Sequence, residues 1–299
     1  MTKEIIFIGL GRMGAAMTAN LVEKDYKVHG FDVSEEARNI AKKNGVLTYD
    51  SISDAVNAME GTKVVWVMVP SKFVDSVLKE LYDILIAKDI IIDGGNSFFK
   101  ETLIRSKVAT EKNIHYIDCG TSGGVDGARH GASLMVGGNK VVVSEIEHIF
   151  EALAALNGYG HVGGPAAGHF VKMVHNGIEY GMMGAIAEGL SLIEEYKEPC
   201  AINISEVLKA YEHESIITSN LISWLSDSYN TEGYLESIAG EVPKGETEME
   251  MEFIVEQSKT PVLEAALNQR KATRENPSRV GTLISAMRNQ FGGHKTIKK

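Results

Sequence analysis

The chain reads as an α/β protein, with a doubly wound, mostly parallel N-terminal domain and an all-helical C-terminal domain. Three observations carry this reading. Short, continuous apolar runs recur through the first half, the form taken by strands buried on both faces of a parallel sheet. Helical patterns lie between most of them, and that alternation builds a layered α/β domain. After a composition shift at Gly163-Gly164-Pro165 the helical patterns continue with no convincing strand, so the expected domains are 1–164 and 165–299.

Ile5-Ile6-Phe7-Ile8 forms the first strand, then Gly9-Leu10-Gly11-Arg12-Met13-Gly14, then a helical pattern from Ala15 to Lys24. Val28-His29-Gly30-Phe31-Asp32 is a second strand. Ser34 is suited to cap the next helix, and Glu35 and Glu36 favour its positive N-terminal end. Val64–Val69, Ile90–Asp93, Tyr116–Asp118 and Ser133–Val136 are further strands. Pro165 suits a helical first turn, and a helix of roughly thirty residues follows, containing Gly168, Gly177, Gly181, Gly184 and Gly189. Each such glycine costs about 1 kcal/mol relative to alanine, so close packing against a backbone or a ligand is expected to offset them.

Composition narrows the function classes. The chain has 299 residues, a net charge of -10 and 44% hydrophobic residues. Such an acidic chain is a poor general binder of nucleic acid or acidic membranes, though a local basic cluster can still hold a small anion. Cys119 and Cys200 lack metal-ligand or CxxC spacing. They read as reduced thiols of a cytoplasmic protein. The chain carries no secretory signal pattern and no apolar run long enough to cross a bilayer. No metal site is expected.

Gly9, Gly11 and Gly14 spell G-x-G-x-x-G between a strand and a helix. The first glycine permits the turn, the second lets backbone approach a pyrophosphate, and the third allows close helix–strand packing. The helix N-terminus offers free N–H groups to the phosphates. Asp32 ends the next strand, 21 residues beyond Gly11. Its carboxylate would accept from both ribose hydroxyls and repel a 2′-phosphate, which favours NAD over NADP. Together these features define a dinucleotide-binding (Rossmann) domain.

Lys172, His175, Asn176 and Glu179 fall at i, i+3, i+4 and i+7 of the long helix. They share one face, flanked by Phe170, Val171, Val174 and Ile178. A lysine there can be pushed towards neutrality and act as a base, and a glutamate can be kept protonated and act as an acid. The plain alternative is a solvated Lys/Glu pair.

These residues resemble 6-phosphogluconate dehydrogenases, the decarboxylating branch of the β-hydroxyacid dehydrogenase superfamily, and the length suits its short bacterial NAD-preferring type. Five segments carry the resemblance: Gly9–Gly14, Asp93-Gly94-Gly95-Asn96-Ser97, Ser122-Gly123-Gly124, Gly168–Tyr180 and Arg288–His294. The resemblance implies that Lys172 takes the proton of the C3 hydroxyl as hydride leaves C3, and that CO2 is then lost. Protonated Lys172 steadies the enediol and Glu179 protonates C1. It adds Arg12, Met13, Val69, Pro70 and Asn96 to the cofactor residues. It assigns Asn96, Ser122, Gly123, Gly124, His175 and Asn176 to the sugar acid, and Tyr180 and Arg270 to its distal anion together with Arg288 and His294 of a neighbouring subunit. It therefore implies a homo-oligomer, dimer or tetramer, whose C-terminal tail completes the neighbour's site. Taken without the resemblance, Asp93–Asn96 reads equally as a strand-ending turn and Ser122–Gly124 as a loop. On the same terms the tail is a solvated terminus. His161, His169 and His213 read as core or surface residues.

One segment departs from the family pattern. Gly245–Glu252 carries Glu248, Met249 and Glu250 where relatives place a basic residue, an aromatic and a threonine. Two carboxylates near a phosphate dianion are unfavourable by order 1 kcal/mol per close pair. Lys244 can substitute, the loop can turn away, or the group on C6 can differ, a sulfonate being one such group. A non-decarboxylating 3-hydroxyacid dehydrogenase, an imine reductase and a non-catalytic NAD sensor are the remaining readings. Glu179 and His175 speak against the first two.

Overall fold

The computed structural model describes residues 3–245 and 247–299. The chain divides into two compact units, Met1–Met173 and Val174–Lys299. In order, the first unit contains β1 (Glu4–Ile8), α1 (Arg12–Glu23), β2 (Lys27–Phe31), α2 (Glu35–Lys43), β3 (Leu47–Thr48), α3 (Ile52–Asn57), β4 (Val64–Val67) and α4 (Ser71–Ile84). It continues with β5 (Ile90–Asp93), α5 (Phe99–Glu111), β6 (His115–Ser122), α6 (Gly124–His130), β7 (Ala132–Gly137), α7 (Lys140–Glu145), α8 (Glu147–Leu153) and β8 (Ala154–Gly163). Helix α9 (Ala167–Cys200) runs unbroken through the division. The second unit continues with α10 (Ile204–Glu212), α11 (Asn220–Asn230), α12 (Glu248–Gln257), α13 (Pro261–Glu275) and α14 (Arg279–Gly292).

The strands form one sheet in the order β3-β2-β1-β4-β5-β6-β7-β8. Neighbours are parallel except β6 and β7. The apolar runs divide by alternate residues. Ile5, Phe7, Trp66, Ile90 and Ile92 pack on one face. Ile6, Ile8, Val65, Val67 and Ile91 pack on the other. Both faces are covered, which is why the runs show no polar alternation.

All six expected strands are present, within a residue or two at most ends. Two further strands lie at the sheet edges. β3 is only two residues long, and β8 carries three glycines in ten residues and is mostly unburied. Neither has an apolar run to betray it. The bulged pairing of β8 with β7 is a tertiary event. Pro165 lies in the turn before α9 rather than in its first turn. The unit division falls about two turns into α9, because the start of that helix is packed on β6 and β7. The second unit is helical, with a core of Met183, Leu190, Leu225, Leu283 and Met287 among others. Among the described residues no helix is long and apolar enough to cross a membrane.

Candidate active site

The glycine-rich turn sits where the strand order reverses between β1 and β4, the usual ligand crevice of an open α/β sheet. Gly9 has φ +100, and a Cβ there would collide with the Met68 carbonyl. A Cβ on Gly14 would collide with the Gly9 carbonyl, whereas Gly11 faces open space. The N-terminus of α1 has no side-chain cap and no acidic residue in its first turn, so its N–H groups and positive end remain available for an anion. Arg12 and Met13 are the first two helical residues. Val69 and Pro70 border this turn, with a Val69 methyl beside Gly9 and the Val69 carbonyl beside Gly95. These residues fit a pyrophosphate cofactor: the turn is shaped for backbone approach and the helix end is unspent.

Asp32 stands at the end of β2. Its Oδ2 accepts from the Leu10 N–H at 2.7 Å and its Oδ1 from the Ser34 N–H at 2.8 Å, which fixes the carboxylate beside the glycine turn. Ser34 caps α2 as expected. Arg38 is a residue the sequence reading missed. Its Nη1 donates to the Asp32 carbonyl at 2.7 Å and its Nη2 to Asp50 at 3.1 Å, so α2 clamps the loop that carries Asp32. Arg38 lies in the first turn of α2, six residues after Asp32, and nothing in that spacing singles it out.

The Asp93–Ser97 segment is organised from within. Asp93 is fully buried and accepts from the Ser97 hydroxyl and from the Tyr116 hydroxyl, both at 2.8 Å. Arg105 Nη1 lies 3.7 Å away. Burial, with this carboxylate alongside, holds the Tyr116 phenol well above its usual range. Gly94 lies against the Trp66 indole where no Cβ fits. The result is a fixed turn presenting half-buried Asn96 next to Gly95. Ser122 closes β6, and Gly123 and Gly124, both at positive φ, turn the chain into α6.

Lys172 is positioned by a second glycine contact. A Cβ on Gly120 of β6 would collide with the Cβ of Lys172. A Cβ on Gly168 would meet the Asp118 carbonyl at 2.8 Å, and one on Gly137 the Gly168 nitrogen at 2.6 Å. Helix and sheet backbones are therefore in direct contact, which explains Gly168 within a helix. Gly177 instead packs against Leu263 and Met251, while nothing lies near Gly189. Buried Asp118 receives the N–H groups of Ala166 at 2.7 Å and His169 at 2.9 Å, capping α9. Burial raises its carboxyl above the ordinary range, against the pull of His169 and these two N–H groups.

Farther along α9, His175 Nδ1 lies 3.4 Å from Asn176 Oδ1 and 4.0 Å from Glu179 Oε2. Asn176 is buried, and His175 and Glu179 are half-buried. Tyr180 shares its hydroxyl with that of Thr247 at 2.9 Å. The Arg270 guanidinium lies 3.2 Å from the Tyr180 ring centroid. Arg270 is 3% exposed, its Nε has no hydrogen-bond partner among the described residues, and its Nη2 donates to the sulfur of Met183 at 3.6 Å. Burial lowers it to about 10. Arg288, also buried and lowered by burial, donates to the Pro243 carbonyl at 2.8 Å and borders Gly245. So Arg288 reaches the Tyr180–Arg270 cluster of its own chain. His294 is exposed on the tail, beside the Phe291 ring. The last residues pair with Ser237–Ala239 of the same chain.

The acidic segment also resolves. Glu248 is buried and held by Arg274, both carboxylate oxygens 2.9 Å from Nη2. Glu250 is buried on the same turn and Lys244 is exposed, while Glu246 lies outside the described residues. Of the histidines expected in the core or on the surface, His169 bonds to Thr102 at 2.7 Å, and His161 and His213 bond to backbone carbonyls. Among the described residues no group of three or more His, Cys, Asp or Glu is placed to hold a metal.

A doubly wound sheet with an open glycine turn and a helix carrying Lys, His, Asn and Glu defines an oxidoreductase that uses a nicotinamide dinucleotide. The pattern for the NAD binding domain of 6-phosphogluconate dehydrogenase matches residues 4–175, and that for the C-terminal domain of the same enzyme matches 168–232. A provisionally named 6-phosphogluconate dehydrogenase of Bacillus subtilis is 36% identical over 99% of this chain and 100% of its own. An NAD(+)-dependent, decarboxylating 6-phosphogluconate dehydrogenase of Haloferax volcanii is 34% identical over 98% of each chain. The 6-phosphogluconate dehydrogenase of Plasmodium falciparum superposes with a TM-score of 0.80 at 27% identity, over 95% of this chain and 70% of that one. The chain belongs to the 6-phosphogluconate dehydrogenase family.

Proposed function

We propose that the chain catalyses the NAD-dependent oxidative decarboxylation of 6-phosphogluconate, or of a close analogue with an anionic group on C6, to the corresponding pentulose and CO2. The observation that carries this reading is one continuous helix bearing Lys172, seated on Gly120, and Glu179 two turns on. Gly9, Gly11, Arg12, Met13, Gly14, Val69, Pro70 and Asn96 hold the dinucleotide, and Asp32 selects the unphosphorylated ribose. When bound, the nicotinamide ring accepts the hydride. Lys172 takes the C3 hydroxyl proton as that hydride leaves C3. The 3-keto acid then breaks its C1–C2 bond, releasing CO2 and leaving the electron pair in an enediol. Lys172, now protonated, hydrogen-bonds to the former C3 oxygen, and Glu179 delivers a proton to what becomes C1 of the product. Asn96, Ser122, Gly123, Gly124, His175 and Asn176 hold the sugar acid, and Tyr180, Arg270 and Arg288 hold its distal anion. A desolvated guanidinium against an aromatic face and a sulfur, instead of a carboxylate, suits such an anion.

The Haloferax relative is named NAD(+)-dependent, in line with Asp32. Ile178, Met182, Leu192 and Tyr196 form an exposed apolar stripe along α9, which suits a homodimer or tetramer whose C-terminal tail, with His294, completes the neighbour's site. Two free cysteines suit the reducing cytoplasm. The test is NADH absorbance with 6-phosphogluconate and 6-deoxy-6-sulfogluconate, with CO2 trapped in the same assay. NADH and CO2 in equal amounts are expected; NADH without CO2 would point to a simple 3-hydroxyacid dehydrogenase, and no NADH from either acid sinks the proposal.

A further inference from the structure

Helix α5 starts two residues after the turn that presents Asn96, and it bonds to the start of α9, the helix that carries Lys172. Thr102 and Arg105 stand three residues apart on one face of α5, and both are buried. Arg105 reaches the Asn96 turn through Asp93. Asp93 Oδ1 accepts from the Gly95 N–H at 3.3 Å and Oδ2 from the Ser97 hydroxyl at 2.8 Å, so one carboxylate ties the residues on either side of Asn96. Oδ2 also accepts from the Tyr116 hydroxyl and lies 3.7 Å from Arg105 Nη1. That nitrogen is buried without a hydrogen-bond partner among the described residues, whereas Nε and Nη2 donate to Asp75 at 2.7 Å and Glu101 at 3.0 Å. Burial works against the guanidinium charge, but Asp75, Tyr116 and Asp93 outweigh it and raise Arg105 above its ordinary range. A buried carboxylate needs a counter-charge, and Arg105 supplies one to Asp93. Thr102 reaches the other way. Its hydroxyl lies 2.7 Å from His169 Nδ1, the His169 N–H donates to Asp118, and Phe99 meets Phe170 edge-on at 5.2 Å. His169 stands one turn before Lys172, the residue seated on Gly120.

We propose that α5 is a yoke that sets Asn96 against Lys172, with Arg105 and Thr102 as its positioning residues. Arg105 acts through Asp93 and the Asn96 turn. Thr102 acts through His169 and the first turn of α9. This rests on the functional reading above, in which Asn96 holds the dinucleotide and the sugar acid while Lys172 takes the C3 hydroxyl proton. Hydride leaves C3 as that proton leaves its oxygen, so a small shift of Asn96 relative to Lys172 costs turnover more than binding.

The test is steady-state kinetics of the full-length enzyme, per folded enzyme as titrated with NAD. The substrate is whichever of 6-phosphogluconate and 6-deoxy-6-sulfogluconate the wild type oxidises. Arg105→Met should lower kcat by about 10²-fold, the scale of a misplaced reacting group, with KM for the acid changed less than about threefold. Arg105→Lys returns a charge to Asp93 without the fork to Asp75 and Glu101, and should recover at least about tenfold of that loss. Thr102→Val keeps the shape without the hydroxyl and should lower kcat about fivefold, the scale of one lost hydrogen bond. In an Asn96→Ala background Arg105→Met should add less than about twofold, because its effect runs through Asn96, whereas the Thr102→Val loss should persist. A role confined to stability would move the urea midpoint and leave kcat and KM of the folded enzyme unchanged. That result for either Arg105→Met or Thr102→Val overturns the inference, and Thr102→Val decides it alone if Arg105→Met does not fold. An Arg105→Lys enzyme no faster than Arg105→Met also overturns it, as does an equal Arg105→Met loss with and without Asn96. No NADH from either acid in the wild type overturns the functional reading, and the inference with it.

Discussion

Two helices follow strands of the same sheet, and their N-termini are used in opposite ways. α1 begins at Arg12 after a glycine turn and leaves its positive end without a side-chain cap. α9 begins at Ala167 and has its end closed by the buried carboxylate of Asp118. Both lie against backbone through glycine, Gly14 on Gly9 in one case and Gly168 on Asp118 and Met135 in the other. A helix N-terminus attracts one anion. Left open it suits a ligand, and filled from within it anchors whatever the helix carries. The open end serves binding. The closed end serves placement, because Lys172 lies one turn beyond the cap.

The comparison is tested hardest at Lys172. Lys172→Met should lower kcat by a factor of about 10³ or more, the scale of a lost general base, with the Kd for NAD within about twofold; near-native turnover would remove Lys172 as the base. Next come the two packing glycines. Gly168→Ala should cost about 2–3 kcal/mol by overpacking and lower kcat while sparing NAD affinity, read by urea unfolding and NAD titration. Gly14→Ala should weaken NAD binding by at least about tenfold. The same loss of NAD affinity in both variants would erase the distinction between the helices.

Asp118→Asn probes the closed end more gently. Burial raises the Asp118 carboxyl in the fold, so the folded state favours its protonated form. Its contribution is greatest below the ordinary carboxyl range and declines as pH rises through its raised folded value. The stability gap between wild type and Asp118→Asn should therefore narrow as pH rises, seen in urea midpoints from acid to neutral pH; a gap that widens contradicts the assignment. The smallest effects belong to the rim of the open end. Asp32→Asn should lower the ratio of kcat/KM with NAD to that with NADP by about tenfold, and Arg38→Ala by a few-fold, in line with lost hydrogen bonds to charged and neutral groups.

The sequence was most legible where one residue type has one structural use. Unbroken apolar runs marked six strands, and G-x-G-x-x-G with Asp32 marked the nucleotide turn. The face of α9 followed from helical periodicity over Lys172–Glu179. β8 stayed hidden because its glycines and asparagine form a strand only when β7 supplies the pairing. Arg38 and Arg274 were equally hidden, being ordinary surface-type residues until folding sets them against Asp32 and Glu248. The sequence alone leaves open whether the acidic stretch faces a distal anion or turns away. In the fold, Glu248 is neutralised by a residue 26 positions away.

By itself, then, the sequence determined the order of strands and helices, the glycine turn and the residues sharing the α9 face, because hydrophobic period and backbone sterics act over a few neighbouring residues. Only the tertiary structure decided which charges meet. Asp118 on the end of α9, Arg38 behind Asp32, Arg274 on Glu248 and Arg288 beside Arg270 are long-range pairings. Their energies depend on distance and on exclusion of water, and neither quantity is written in local sequence.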